Sequence, residues 1–214
     1  MSRDAILKKI DAANVGRTST NILTDAAALI GEPAIYRAEF DDVTTFDRFV
    51  QKATSETVTA TVEEISSLEK LPQAVARYLT EMNLPKRIAL QPRELLTSLD
   101  WADLETVGWA MPDEPAAVTF ADAGIAETGS LVFQTAPDAP VLLNFLPLHH
   151  LAVIRKSSIK RYMEEIFDHF GTAAADQKRS LNVITGTSGT ADIEAKNVRG
   201  AHGPRFMHIY CVDD

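Results

Sequence analysis

The sequence predicts an α/β fold: a largely parallel sheet of about six strands with helices on its faces, preceded by an N-terminal helical arm. Three observations carry this. From Thr44 onward, period-2 and 3.6-residue apolar patterns alternate, as strands joined by crossover helices require. The run Leu151-Ala152-Val153-Ile154 is apolar without a break, the mark of a strand buried on both faces. In a chain of 214 residues, 45% hydrophobic content is enough for one continuous core. Residues 45–214 therefore read as one domain and residues 1–44 as the arm.

The arm opens with a helix over about Ser2 to Ala13, where Ser2 caps, Ile6, Leu7 and Ile10 share a face, and Asn14 and Gly16 close it. Arg17 to Asp42 is polar and irregular apart from a short helix around Ala26 to Ile30, a composition suited to wrapping or reaching a neighbour, and a homodimer is one expectation. Phe46, Phe49, Val50 and Ala53 then recur at helical spacing, and Val58, Ala60 and Val62 alternate with threonines as in a strand. Pro72 starts a helix carrying Val75, Tyr78, Leu79 and Met82, with Asn83 as its stop. A strand at Arg87 to Leu90 and a helical turn at Leu95 to Leu99 follow. Val118 to Phe120 and Ser130 to Phe133 read as strands flanking a tight two-glycine loop, Asp122 to Gly129. After the strand at Leu151 to Ile154, Ser157 or Ser158 caps a helix whose stripe of Ile159, Tyr162, Met163, Ile166, Phe167 and Phe170 belongs to the core. Leu181 to Ile184 and Phe206 to Val212 are the last strands.

Composition excludes several functions. The net charge of −9 argues against a nucleic-acid partner, whose phosphates need Lys and Arg. No apolar run reaches the roughly 18 residues of a membrane span, and Met1-Ser2-Arg3-Asp4 meets lysines and an aspartate where a signal peptide needs an apolar stretch, so no membrane association and a cytoplasmic location are expected. A single cysteine, Cys211, rules out an internal disulfide, a four-cysteine zinc site and a self-contained iron–sulfur cluster. No cofactor is expected on this chain. No H-E-x-x-H spacing supports a metal.

The densest chemical signal is Ile184-Thr185-Gly186-Thr187-Ser188-Gly189-Thr190-Ala191-Asp192-Ile193-Glu194, a strand running into small, hydroxyl-rich residues and then two carboxylates. Beyond the carboxyl end of a parallel strand, such a loop can cradle a small carboxylate or phosphorylated ligand on Gly186, Thr187, Ser188, Gly189, Thr190, Asp192 and Glu194. A capped structural turn explains the same residues. Gly186 to Thr190 lacks the last glycine of a nucleophile elbow, and no P-loop or G-x-G-x-x-G occurs. The second signal is Ala126-Glu127-Thr128-Gly129-Ser130, which sets Glu127 at the entry of an apolar strand as base, nucleophile or hydroxyl acceptor, or as a carboxylate tying down its own loop, with Thr128 and Gly129 beside the ligand. All five histidines fall in the last third of the chain. His149 and His150 point opposite ways on a strand, His169 is surface, and His208 is a hydrogen-bonded structural histidine. His202, in a glycine-bounded loop, is the candidate acid or base, and Arg205 can hold a carboxylate.

Ala126-Glu127-Thr128-Gly129, Pro147-Leu148-His149-His150, Ile184-Thr185-Gly186 through Thr190-Ala191-Asp192-Ile193-Glu194, and His202-Gly203-Pro204 together resemble the LUD domain of the lactate utilization protein C family, in order and spacing over residues 45–214. The chain departs from the family pattern at Thr187, where proline is common, and at Gly189, where a basic or amide residue is common. The resemblance implies a three-layer α/β/α sandwich of the NagB/RpiA/coenzyme A transferase-like kind. It also implies a part in oxidising L-lactate to pyruvate together with iron–sulfur partner proteins. Cysteine usage agrees, since this chain would supply a small-anion pocket or an assembly role rather than a redox centre. Two other readings compete: a coenzyme A transferase-like enzyme with Glu127 as nucleophile, and a metabolite-sensing module.

Overall fold

The computed structural model describes residues 2–14, 19–31, 37–112, 114–171, 178–191 and 197–213. Two compact units are present, Met1–Glu39 and Phe40–Asp214. In the smaller one, α1 (Arg3–Ala13) is capped by the Ser2 hydroxyl, which accepts from Ala5 N, and buries none of its residues; Ile6, Leu7 and Ile10 are exposed. Helix α2 (Ser19–Gly31) is longer than the short helix read from sequence.

In the larger unit the chain runs through α3 (Thr45–Ala53), β1 (Thr61–Ile65), α4 (Leu71–Glu81), β2 (Arg87–Leu90), α5 (Glu94–Thr97), β3 (Glu105–Val107), β4 (Ala116–Phe120), β5 (Ala123–Ile125), β6 (Ser130–Gln134), β7 (His149–Arg155), β8 (Ile159–Lys160), α6 (Glu164–Phe170), β9 (Leu181–Ile184), β10 (Gly189–Ala191), β11 (Asn197–Arg199) and β12 (Phe206–Val212). Six strands form a wholly parallel sheet in the order β1-β12-β7-β4-β2-β3. Local signals explain the helices. Thr44 caps α3 by accepting from Asp47 N at 3.0 Å while its hydroxyl donates to the Asp47 carboxylate. Pro72 sits in the first turn of α4, and Asn83 just beyond it takes the left-handed φ of 53° that ends the helix.

Alternation along the central strands builds two cores. One face gathers Ile65, Val118, Leu151, Val153, Tyr210 and Val212 against Leu71, Val75 and Leu79 of α4 and Leu96 of α5. The other gathers Ala152, Ile154, Met207, Ile209 and Cys211 against Phe49 and Ala53 of α3. On that second face the layer is not all helical. A four-stranded sheet, β8-β5-β6-β9, contributes Leu131, Phe133 and Ile159, and α6 packs Ile166 on its Ala123, Ile125 and Val132.

This second sheet corrects the sequence reading of residues 159–170. Ile159 is a strand residue paired with Gly124, the helix begins only at Glu164, and Met163 and Phe167 are exposed. The glycine loop likewise contains strand β5: a Cβ on Gly124 would stand 2.8 Å from Ile154 Cδ1, so glycine is what lets the two sheets approach. β9 joins β6 antiparallel in the small sheet rather than extending the parallel one. Among the described residues no helix is long and apolar enough to cross a membrane.

Two consequences are measurable. Gly129, in the β5–β6 turn, has φ of 71°, and a Cβ there would fall 2.4 Å from Ala53 N. Gly129→Ala is expected to lower unfolding free energy by about 1–3 kcal/mol in urea titration, and an unchanged midpoint would contradict that packing. His150 is fully buried, its Nε2 shares a hydrogen bond with Thr119 Oγ1 at 2.7 Å, and desolvation pushes its pKa down to about 4. Between the ordinary imidazole value and about 4, the unfolded chain binds a proton that the native chain does not. Stability therefore falls with falling pH, by up to about 1.4 kcal/mol per unit from this residue. An NMR titration should show a neutral His150 ring down to pH ~5.

Candidate functional site

The loop following β9 does not lie beyond the carboxyl ends of the parallel strands, where the sequence reading set it. It lies at their amino ends. Gly186 is buried with φ of 75°, and a Cβ on it would meet Val58 O at 1.9 Å, so the loop rests directly on the backbone leading into β1. Thr187 N donates to Val58 O at 3.2 Å and Ser188 N to Pro204 O at 2.9 Å, while Ser188 O accepts from Gly200 N. These two amides are thus committed to protein carbonyls, and the polar side chains of residues 185–190 are all hydroxyls. Thr187 Oγ1 lies 2.7 Å from Thr59 Oγ1. Gly189 and Thr190 continue into β10, which pairs with β11 as a hairpin, Gly189 opposite Arg199 and Thr190 opposite Val198. Asp192 and Glu194 lie outside the described residues.

The Glu127 loop is brought to the same place. Ser130 is fully buried, and its Oγ sits 2.6 Å from both Thr128 Oγ1 and Thr185 Oγ1, a three-hydroxyl chain joining two loops 55 residues apart. Glu127 N donates to Arg161 O at 3.1 Å, and Gly129 N to Ile125 O at 2.9 Å, which closes the turn. Glu127 itself is half-buried, and its carboxylate makes no hydrogen bond or ion pair with a described residue. His202 joins this cluster through its backbone neighbours: Gly203 packs on Ser188, and Pro204 is buried. The His202 side chain is exposed, and Arg205 is exposed too, its guanidinium 5.6 Å from the Phe206 ring.

The paired histidines divide as alternation demands. His150 faces Phe133 of the second sheet; His149 faces α4, with Nδ1 3.0 Å from Tyr78 Oη and its ring stacked on Phe206 at 4.4 Å. Burial lowers the His149 pKa. Leu148 O accepts from both Arg205 N and Phe206 N, so the Pro147-to-His150 and His202-to-Pro204 motifs enter adjacent strands tied together.

Beside this cluster, at the amino ends of β1 and β12, opens a cleft of about 270 Å³ walled by Thr59, Thr61, Tyr78, Met82, Phe206 and His208, among others. Sequence reasoning selected none of these as site residues. Thr59 is the link between cleft and loops, and it is a β-branched residue at φ of 62°, a conformation with a steric cost that the Thr187 contact and the Thr59 N to Ser55 O bond hold in place. No local pattern announces such a backbone. Among the described residues no group of three or more His, Cys, Asp or Glu is arranged to hold a metal ion.

Comparisons with known proteins fall on this same region. The LUD domain family model matches residues 114–212, a span that includes Glu127, His149, the residues 185–190 loop, His202 and His208. A lactate utilization protein C from Exiguobacterium sp. is 30% identical over 152 residues, covering 64% of this chain and 66% of that protein. Another from Macrococcus caseolyticus is 33% identical over 100 residues, covering 45% and 43%. The chain thus matches 43% to 66% of the length of these curated relatives. A DUF162 family protein from Deinococcus radiodurans, solved by crystallography, shares the fold with a TM-score of 0.59 at 18% identity, over 78% of this chain and 96% of that one. Loops distant in sequence but joined by the Ser130 and Ser188 contacts are the same loops that the family match spans, and residues 114–212 of this chain are similar to the LUD domain family.

Proposed function

We propose that this chain serves lactate utilisation as a component without a redox centre, needed for oxidation of L-lactate to pyruvate alongside iron–sulfur partner proteins. Relatives of this chain are named lactate utilization protein C, which supports the pathway. The observation that carries the site is the Thr128–Ser130–Thr185 hydroxyl chain, which draws the Glu127 loop against the Thr185-to-Thr190 loop at one edge of the sheet. In this reading a small carboxylate is held by the hydroxyls of Thr128, Thr187, Ser188 and Thr190 at the glycine positions 129, 186 and 189. Glu127 and His202 supply acid–base groups, and Asp192 and Glu194, outside the described residues, are assigned to the same ligand from the sequence motif alone. Hydroxyl donors orient an anion without requiring a lysine or arginine. Electron transfer falls to partners, because the one cysteine, Cys211, is buried and its thiol pKa is pushed up to about 12 by desolvation.

The test is lactate-dependent growth and lactate consumption in cells lacking this chain, rescued by wild type or by Glu127→Gln combined with Asp192→Asn. Rescue by wild type, with at least tenfold weaker oxidation in the double variant, is the expected outcome, since acid–base groups commonly contribute about 10²-fold or more. Undiminished lactate oxidation in the cells lacking the chain would sink the proposal.

A further inference from the structure

A second set of reactive side chains occupies the α4 face of the parallel sheet, outside the loops assigned above. Thr61 Oγ1 lies 2.6 Å from His208 Nδ1, and His208 Nε2 lies 3.6 Å from Glu63 Oε2. Strand register produces this line. Thr61 is the direct partner of His208 across β1 and β12, and Glu63, two residues on, projects from the same face. Thr61 is exposed and lines the cleft of about 270 Å³, whereas His208 is buried behind it. Arg77 takes the other oxygen of Glu63, leaving Oε2 turned toward the imidazole.

We propose that Thr61, His208 and Glu63 form a nucleophile, base and positioning residue that accept the acyl group of a small uncharged ester bound in the cleft. The geometry meets the requirements of such a set: the hydroxyl is within proton-transfer reach of a ring nitrogen, and a carboxylate stands at the other nitrogen. His208 Nε2 is buried and has no hydrogen-bond partner at normal distance, and Glu63 Oε2 at 3.6 Å is the carboxylate facing it, attracting the ring more strongly once it becomes charged. Burial favours the neutral ring, the form a base needs, and the Glu63 carboxylate opposes that shift. With the ring proton on Nε2, Nδ1 accepts from the Thr61 hydroxyl.

In the acylation step, Thr61 Oγ1 bonds to the carbonyl carbon and its proton passes to His208 Nδ1. The bond from that carbon to the alkoxy oxygen then breaks, and the proton on Nδ1 goes to the departing oxygen, releasing an alcohol. Water, deprotonated by His208, next attacks the Thr61 ester, giving a carboxylic acid and restoring the hydroxyl. Ester and water become acid and alcohol, with no change of oxidation state. The cleft selects for the acyl group's lack of charge: its walls include Met82, Phe206 and Met207, and Glu81 is the one carboxylate or cationic side chain among its lining residues.

This activity does not rest on the lactate reading, and it involves two residues, Thr61 and Glu63, that precede the family match. The full chain is incubated with p-nitrophenyl acetate, p-nitrophenolate release is followed by stopped flow, and the acetylated peptide is mapped by mass spectrometry. Release in a burst with acetyl on Thr61 is expected, abolished by Thr61→Ala, retained by Thr61→Ser and slowed about 10²-fold by His208→Gln. Glu63→Gln should slow acylation, and Glu63→Asp should restore part of it. Thr61 is exposed, so its two substitutions keep the fold, which a thermal melt checks. Acetyl absent from Thr61 in wild type, or release unchanged in Thr61→Ala, overturns the proposal.

Discussion

Strand β12 holds the molecule together. It lies between β1 and β7, pairing with five residues of the first and seven of the second, and its side chains alternate between the two cores. His208, Tyr210 and Val212 face α4, while Met207, Ile209 and Cys211 face α3 and the second sheet. A one-residue slip would exchange these sets, driving Tyr210 into the space of Cys211 and separating His208 from Thr61. Both cores, the cleft and the join between the Pro147-to-His150 and His202-to-Pro204 segments depend on that single register.

Much of the scaffold was legible because local pattern and tertiary role coincide. The continuous apolar run at Leu151 to Ile154 is a central strand of the parallel sheet, and the 3.6-residue repeat of α4 buries Val75 and Leu79 where expected. Elements that exist only through pairing were not legible: β5 and β8 have three and two residues, and Ile159 is extended because Gly124 lies beside it, against the helical spacing of its own neighbourhood. The candidate site was half legible. The two loops singled out by their glycines and hydroxyls do meet in the structure, but a loop's chemistry does not reveal which sheet its strand joins, and the antiparallel partnership of β9 with β6 carries them to the amino ends of the parallel strands. Thr61 and His208 are 147 residues apart, and nothing in either segment alone marks them as neighbours.

The histidines show how the fold sets chemistry without charge. Those on β7 and β12, His149, His150 and His208, all have pKa values lowered by burial, and each has a hydroxyl partner, Tyr78, Thr119 and Thr61 in turn. Rings held neutral can donate at one nitrogen and accept at the other, so they carry directed polarity into the layers of a chain whose formal charge is −9.

The strand order also governs how the chain reaches this state. Among the described residues β1 is an edge strand whose sheet neighbour, β12, follows it by nearly the whole length of the domain. During synthesis β1 leaves the ribosome long before β12, the strand it pairs with, has been made. β2, β4 and β7 form a more local nucleus, and closing the long loop between β1 and β12 is entropically the most demanding step. The nascent chain therefore passes through an interval with an unpaired β1 and an open amino edge, the condition in which chaperone capture and intermolecular strand pairing compete with folding.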